Sequence, residues 1–323
     1  MQPPVFHVQL RLWPDSFANR QWQKELPADL LEYLHFYKMA TPEAPTVKEA
    51  KAGWVEVEGL RCWLQAYRPQ TETSQAGTLL HLHGYYDHGA LYPSLQQWAL
   101  QKGLHYLAVD LPGHGLSSGA RASIRNFNLY QQLLAALLEE LEQGDFPRPW
   151  LVTGFSTGGA IALEQLLTRP RFDAVALLAP LIHPLGWVGI RRWLPWVSLL
   201  FKELPRKYRA NCHNEEFLQL VKEKDPMQSQ RLSLTWVKAL ARWIPRIEKS
   251  PPCGEVVMII QGEGDTTVDW SYNLSVLNRL LPEAQVVLLP DTGHQLLNEE
   301  EKRRQAVFKH LDLWLENVNT RAF

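Results

Sequence analysis

The chain has 323 residues, and 46% of them are hydrophobic, which suits one large α/β domain with an insertion or two modest domains and excludes a disordered protein. Its 33 lysine and arginine residues nearly balance its 34 acidic residues, so the charge gives no reason to expect a nucleic-acid partner. The three cysteines, Cys62, Cys212 and Cys253, have neither the even number of a disulfide framework nor the short spacing of a zinc site.

Residues 1–50 are predicted to form an N-terminal extension packed on the main domain, with a helix at about 29–39. They lack the basic start, apolar run and small-residue cleavage site of a signal peptide. No apolar run of the chain approaches the roughly 20 residues of a bilayer crossing. We therefore expect a soluble protein located in the cytoplasm.

The next part of the chain has the pattern of an α/β fold. Residues 54–58 and 62–67 alternate in polarity around Glu58-Gly59 and predict a β-hairpin. Short, nearly continuous apolar runs then alternate with helical patterns, which predicts a mostly parallel sheet flanked by helices. The strands are expected at 78–82, 105–109, 150–155, 174–178, 256–260 and 286–289, and the helices at 92–102, 129–141, 157–167, 272–281 and 299–317.

This alternation stops between Leu178 and Val256, where no strand is predicted and helical patterns occur at 215–221 and 232–244. We interpret residues 184–252 as a helical cap, inserted between core segments 51–183 and 253–323. An ordinary helical layer of the main domain is the alternative. Five tryptophans fall in the insertion: Trp187, Trp193, Trp196, Trp236 and Trp243.

The strongest local motif is Gly154-Phe155-Ser156-Thr157-Gly158, which lies between a predicted strand and a predicted helix. This context is typical of a nucleophile elbow, with Ser156 as the nucleophile. Glycine is needed two positions away from the serine on either side, because a side chain there would collide with the neighbouring backbone. The following helix N-terminus favours developing negative charge.

A serine hydroxyl needs a general base, and His294 is the candidate because it follows the last predicted strand. In this fold an acid that orients the histidine is expected between serine and histidine in the chain, and Asp265 fits that order. Two other acids compete for this role. Asp269 precedes a predicted helix and is expected to cap it, and Glu263 is expected in the turn itself.

An oxyanion hole is predicted from the backbone N–H groups of Tyr85, which follows His83-Gly84, and of Thr157. His83 is expected to support this loop through hydrogen bonds, and His114 to stabilise a turn. The histidines of this region, His81, His83, His88 and His114, lie near Asp87 and Asp110 but lack zinc-site spacing. Neither a metal nor an organic cofactor is expected.

Together these motifs resemble one family. His83-Gly84, DLPGHGLSSG, GFSTGG, QGEGDTTVD and DTGHQLLNE resemble the serine aminopeptidase S33 or monoacylglycerol lipase-like branch of the α/β-hydrolases, whose bacterial members are often labelled lysophospholipase. The resemblance covers about residues 54–318 and implies an α/β-hydrolase fold, the Ser156, Asp265 and His294 triad, and the Tyr85 and Thr157 oxyanion hole. Thr157 stands where the family often has Met, and its amide remains available.

We therefore expect a serine hydrolase that cleaves carboxylic esters, of acylglycerol or lysophospholipid type, through an acyl-enzyme on Ser156. The tryptophans of the cap favour an apolar acyl group, although they could also fill the core of the cap itself. Peripheral membrane contact through the cap and the oligomeric state stay open. The alternatives are a C–C bond hydrolase, a non-catalytic binding protein, and a peptidase or amidase that uses an acid of the cap: Glu203, Glu215, Glu216, Glu223 or Asp225.

Overall fold

The structure is a computed structural model that describes residues 10–11, 13, 16–71 and 77–321. Its centre is an eight-stranded sheet in the order β1-β2-β4-β3-β5-β6-β9-β10. The strands in chain order are β1 Val47–Val57, β2 Leu60–Pro69, β3 Thr78–Leu82, β4 His105–Val109, β5 Trp150–Phe155, β6 Ala174–Leu178, β7 Glu203–Pro205, β8 Arg231–Ser233, β9 Val257–Gly262 and β10 Gln285–Leu289.

The sheet is antiparallel at one edge and parallel elsewhere. Strands β1 and β2 form the predicted hairpin, and β2 is also antiparallel to β4. The pairs from β4 through β3, β5, β6 and β9 to β10 are all parallel. The hairpin begins earlier than its alternating pattern does, and the N-terminal extension bridges β1 at Ser16 to Trp54 and at Gln23 to Ala50. Side chains of β1 are buried on both faces, Val55 in one core and Ala50 in the other, and a strand buried on both faces needs no alternation.

Helices cover both faces of the sheet, which confirms the predicted α/β architecture. The helices are α1 Ala28–Phe36, α2 Pro93–Gln101, α3 Asn128–Gln143, α4 Thr157–Thr168, α5 Trp187–Leu200, α6 Glu215–Gln219, α7 Leu234–Glu248, α8 Trp270–Leu280 and α9 Glu301–Arg321. Apolar side chains of α3, α4 and α8 pack in one core. Those of α1, α2 and α9 pack in the other core, on the opposite face. Among the described residues, no helix has both the length and the apolar character that a bilayer crossing requires.

The insertion contains α5, α6 and α7, and it also contains the short strands β7 and β8. These pair antiparallel, with Leu204 opposite Leu232, so the prediction that no strand lies between Leu178 and Val256 was wrong. Strands of three residues are too short for an alternating pattern to identify them. Helix α7 begins after Ser233, whose hydroxyl accepts the N–H of Trp236 and thereby caps the helix.

Candidate active site

Ser156 occupies a sharp turn between β5 and α4. Its backbone has φ +51° and ψ −110°, a sparsely populated positive-φ conformation that costs a non-glycine residue about 1–3 kcal/mol. The turn is possible because the residues two positions before and two positions after Ser156 are glycines. A Cβ on Gly158 would lie 1.9 Å from the carbonyl oxygen of Leu82, and one on Gly154 would lie 2.5 Å from that of Gly158. The local geometry is therefore that of the predicted elbow.

The structure places His294 and Asp265 in one hydrogen-bonded series with Ser156. His294 Nε2 is 3.0 Å from Ser156 Oγ, and His294 Nδ1 is 2.6 Å from Asp265 Oδ2. Because a carboxylate accepts only, Nδ1 carries the imidazole proton and Nε2 is left to accept the serine hydroxyl. All three side chains are buried. This arrangement can deprotonate the serine when a carbonyl carbon approaches it.

Asp265 is held as a carboxylate by several donors. Its Oδ1 accepts the N–H groups of Thr267 at 2.7 Å and Val268 at 3.1 Å, and its Oδ2 accepts from Gln261 Nε2 at 3.1 Å. Burial alone would raise the pKa of Asp265, but the adjacent His294 and these hydrogen bonds lower it below its usual value. The charged form is therefore available to stabilise an imidazolium.

The two competing acids lie elsewhere. Asp269 is the N-cap of α8, where its side chain accepts the N–H of Tyr272 at 3.3 Å, as predicted. Glu263 is exposed in the turn after β9. Neither carboxylate is hydrogen-bonded to His294, so the geometry favours Asp265 as its partner.

The two residues predicted to supply the oxyanion donors lie beside the serine. Tyr85 follows the turn after β3, and Thr157 is the first residue of α4. Both residues line the same apolar cavity as Ser156. Within the described parts of the chain, neither backbone N–H is bonded to an acceptor. Both amides can therefore donate to an oxygen bound beside Ser156.

His83 fixes the orientation of one of these donors. Its Nε2 accepts the N–H of Leu111 at 2.9 Å, so its Nδ1 carries the proton and donates to the carbonyl oxygen of Gly84 at 2.7 Å. That carbonyl and the N–H of Tyr85 belong to one planar peptide unit. Burial, and secondarily His114, hold the pKa of His83 well below its usual value, so the ring stays neutral. His83 thus supports the loop of Tyr85, as expected, through hydrogen bonds to Gly84 and Leu111.

The remaining histidines of this region have separate partners. His81 contacts Thr153 and His114 contacts the carbonyl of Pro112, and burial lowers the pKa of each to about 3. His88 pairs with Asp225 of the insertion at 3.1 Å. Among the described residues, no cluster of histidine, cysteine or acidic side chains could hold a metal ion.

Two cavities meet at Ser156. An apolar cavity of about 330 Å³ is enclosed mainly by the insertion, including Trp187, Ile190, Trp193, Leu194, Leu232 and Trp236. A larger cavity of about 600 Å³ is more polar, and its walls include Tyr86, Arg206, Lys207, Arg209, Glu215 and Lys222. Three of the five tryptophans of the insertion thus line a cavity at the serine.

The basic residues that line the larger cavity were not predicted from the sequence. Arg206, Lys207 and Arg209 lie in a segment whose charges are typical of a solvated loop, and no local pattern distinguishes them. Only the folding of the insertion over the strand ends brings them to the cavity that contains Ser156 and His294.

Comparison with known proteins identifies related sequences. A family model described as serine aminopeptidase, S33, matches residues 73–301. The phospholipase YtpA of Bacillus subtilis is 22% identical over 246 residues, which are 71% of this chain and 90% of that protein. The monoglyceride lipase of Homo sapiens is 28% identical over 130 residues, which are 40% of this chain and 42% of that protein.

Solved structures show the same fold. A soluble variant of monoglyceride lipase from Saccharomyces cerevisiae, in complex with a substrate analogue, superposes with a TM-score of 0.69 at 15% identity, over 83% of this chain and 96% of that chain. The monoacylglycerol lipase of Paleococcus ferrophilus superposes with a TM-score of 0.66 at 18% identity, over 80% and 99%. These superpositions confirm the predicted α/β-hydrolase fold. Because the family model spans most of the chain and agrees with its motifs, the chain belongs to the serine aminopeptidase S33 family of α/β-hydrolases.

Proposed function

We propose that the protein cleaves carboxylic esters of acylglycerol or lysophospholipid type through an acyl-enzyme on Ser156. The observation that carries this proposal is the hydrogen-bonded series of Ser156, His294 and Asp265 at the junction of an apolar and a polar cavity. An ester has an acyl arm and an alcohol arm at its carbonyl carbon, and each cavity suits one of them. The names of the similar lipases and phospholipase agree with this substrate class.

In the first step, Ser156 Oγ attacks the ester carbonyl carbon while His294 Nε2 takes the hydroxyl proton. The carbonyl oxygen becomes an oxyanion, which the N–H groups of Tyr85 and Thr157 stabilise. The carboxylate of Asp265 stabilises the imidazolium. The imidazolium then gives its proton to the departing alcohol oxygen, and an ester between the acyl group and Ser156 remains.

In the second step, His294 takes a proton from water as the water oxygen attacks the acyl-enzyme carbonyl. The same two N–H groups stabilise the second oxyanion. Collapse of that intermediate returns the proton to Ser156 Oγ and releases the carboxylic acid. The scheme uses only the five residues predicted from the sequence: Ser156, Asp265, His294, Tyr85 and Thr157.

The test is hydrolysis of p-nitrophenyl esters from acetate to palmitate by the wild type and by Ser156→Ala. Ser275→Ala is the matched control, since that serine is exposed on α8. We expect turnover of a band of chain lengths that is lost in Ser156→Ala and kept in Ser275→Ala. Absence of ester turnover in a folded protein that also resists a fluorophosphonate probe would overturn the proposal.

A second candidate activity is cleavage of an aminoacyl amide, because two of the five acids considered for binding an amino terminus, Glu215 and Glu223, line the polar cavity. The other three have partners elsewhere: Glu203 with Arg231, Glu216 with Lys38, and Asp225 with His88. Aminoacyl p-nitroanilides separate the two activities, because turnover faster than that of any ester would favour the peptidase.

We also propose that residues 184–252 act as a cap whose helix α5 contacts a lipid surface. The outer side of α5 exposes Val188, Trp193, Trp196, Leu199 and Leu200, a larger apolar surface than a soluble helix normally leaves uncovered. This surface is continuous with the apolar cavity, because Trp193 belongs to both. Arg191, Arg192 and Lys202, also exposed, are suited to anionic head groups.

Cosedimentation with vesicles of phosphatidylcholine and phosphatidylglycerol tests the lipid contact. Trp196→Asp with Leu199→Asp should weaken vesicle binding, whereas Leu313→Asp, at an exposed apolar position on α9, should not. Equal binding of all three proteins would contradict the proposed role of α5.

A further inference from the structure

The larger cavity at Ser156 is lined by four cationic side chains. Arg206, Lys207, Arg209 and Lys222 line it, together with both Ser156 and His294. The apolar cavity beside the same serine offers a place for an acyl chain. If the ester is oriented in this way, its alcohol arm lies in the cavity that carries these cations.

Arg206 is held in place before any ligand binds. Its guanidinium carbon lies 3.9 Å from the ring centroid of Tyr86 and 4.2 Å from that of Tyr208. Its Nη1 donates to Gln228 Oε1 at 2.6 Å and is 3.3 Å from the carbonyl oxygen of Ser229. Cation–π contacts with two rings and a short hydrogen bond reduce the entropy that Arg206 would lose on binding a ligand.

Arg206 nevertheless keeps unused donors. A guanidinium carries N–H groups on Nε and on both Nη atoms, and in the described residues Arg206 donates only from Nη1. No carboxylate of the described residues lies within ion-pair distance of Arg206, Lys207 or Arg209. None of these three positive charges thus forms an ion pair within the described residues.

The acids of the same cavity offset only part of this positive charge. Asp87 accepts from the neutral donors Tyr92 at 2.6 Å and Gln295 at 3.1 Å; burial raises its pKa, and the charge of Arg206 opposes that rise. Glu223 pairs with Lys222 at 3.6 Å. The three acids Asp87, Glu215 and Glu223 face the four cations of the cavity, so its charge favours an anion on the bound ligand.

We propose that this cavity binds the alcohol arm of an ester that carries a phosphate group, and that Arg206 donates to two of the phosphate oxygens. The spacing of the N–H groups of a guanidinium matches that of two phosphate oxygens, and the positive charges of Lys207 and Arg209 further attract the phosphate. The inference rests on the proposed ester cleavage at Ser156. Within that substrate class it selects esters of lysophospholipid type over neutral acylglycerols.

The test compares 1-octanoylglycerol with 1-octanoylglycerol 3-phosphate, which have the same acyl chain. Both are used below their micelle concentrations, so that no lipid surface takes part. For the wild type we expect kcat/KM to be about ten- to a hundredfold higher for the phosphate ester, as charge-assisted hydrogen bonds provide. The ratio should fall toward one in Arg206→Gln and persist in Arg231→Gln, since Arg231 pairs with Glu203 and lines neither cavity.

Further arms identify the source of any failure. Fluorophosphonate labelling of Ser156 reports whether Arg206→Gln is folded. If that variant does not fold, Lys207→Gln with Arg209→Gln should lower the same ratio of kcat/KM values. A wild-type ratio near one, with the neutral ester still cleaved, overturns this inference alone. Turnover of neither ester, together with no labelling, overturns the proposed function instead. Inorganic phosphate could inhibit the wild type but not Arg206→Gln, while the wild type shows no preference for the phosphate ester. That result would show that the site binds free phosphate and that the substrate assignment is wrong.

Discussion

Replacing Gly158 by alanine should disrupt the active site through backbone contact alone. The new Cβ would lie 1.9 Å from the carbonyl oxygen of Leu82 and 2.9 Å from that of His83, whereas real Cβ atoms essentially never approach closer than 3.0 Å. Helix α4 and the end of β3 must therefore separate by more than about 1 Å. Leu82 cannot yield alone, because it is paired with Gly154 of β5 and Val109 of β4.

Two costs follow from this separation. Overpacking in a well-filled interior destabilises a protein by about 1–3 kcal/mol. The displacement also moves the Ser156 turn away from the loop that carries Tyr85, and a misplacement of about 1 Å in a catalytic group can cost about a hundredfold in rate. We therefore expect Gly158→Ala to lower both the free energy of unfolding and kcat/KM on a p-nitrophenyl ester.

Gly189→Ala is the matched control, because a Cβ at Gly189 meets no atom within 4 Å. This glycine is exposed inside α5, where alanine should stabilise the helix by up to about 1 kcal/mol. Urea unfolding and ester hydrolysis are measured for all three proteins. A Gly158→Ala protein with wild-type stability and rate would refute the argument that the β3–α4 contact is rigid.

Three further substitutions test the polar contacts of the site. Asp265→Asn keeps the shape but removes the charge beside His294, and ester kinetics should show a loss in kcat of about 10⁴-fold; an unchanged rate would exclude Asp265 as the orienting acid. Asp225→Asn breaks a buried pair with His88 and should lower the free energy of unfolding by about 3–5 kcal/mol, measured by urea unfolding at pH 7. Wild-type stability of this variant would show that the pair makes no net contribution to folding. Glu299→Gln weakens the acceptor of the N–H groups of Gly293 and His213, both at 2.8 Å. It should lower the free energy of unfolding by about 1–3 kcal/mol, with a smaller effect expected for Glu300→Gln on the exposed surface.

The Asp225–His88 pair also predicts a pH dependence. Burial would raise the pKa of Asp225, but the charge and hydrogen bond of His88 lower it to about 2. The stability from Asp225 is therefore present above its unfolded pKa of about 3.9 and is lost as the pH falls toward 2. For His88, burial lowers the pKa but Asp225 raises it by more, so the stability from His88 is complete below about pH 6.5 and is lost as the pH rises through the raised pKa. Melting curves from pH 2 to pH 5 should show a steeper acid loss in the wild type than in Asp225→Asn, and parallel curves would contradict this account.

The parts of the fold that were predictable are those with local signals. Apolar runs identified the strands of the parallel sheet, and the glycines around Ser156 identified its turn, because both patterns follow from the chain's own geometry. The chain order of serine, acid and histidine that this fold requires then selected Asp265. Strands β7 and β8 were missed because three residues hold no periodic pattern.

Contacts between distant side chains were not predictable. Tyr37 donates to Asp225 across 188 positions, and Gln295 donates to Asp87 across 208. A buried acid with such partners has the same sequence signature as a solvated acid, because burial is decided by how the insertion folds back on the core. The same reason hid Arg206, whose neighbours in sequence are mostly exposed.

Three buried carboxylates tie the insertion to the α/β core. Asp225 holds His88, close to the Tyr85 loop, and Glu299 joins His213 to the loop of His294 through Gly293. Glu164 of α4, the helix that begins after Ser156, accepts from Trp243 and pairs with Arg246, both in α7. Each contact reaches an element beside Ser156, His294 or the Tyr85 loop, so movement of these parts of the insertion would displace the proposed site.

Helix α5 is held differently. Within the described residues no side chain of α5 is hydrogen-bonded to the core, and only Trp187 and Leu194 of this helix are buried. Since breaking a buried carboxylate contact costs several kcal/mol whereas shifting an exposed apolar helix costs far less, opening of the apolar cavity should occur by displacement of α5. Hydrogen exchange would then be faster in α5 than in α7, and equal protection of the two helices would mean that the insertion moves as one rigid unit.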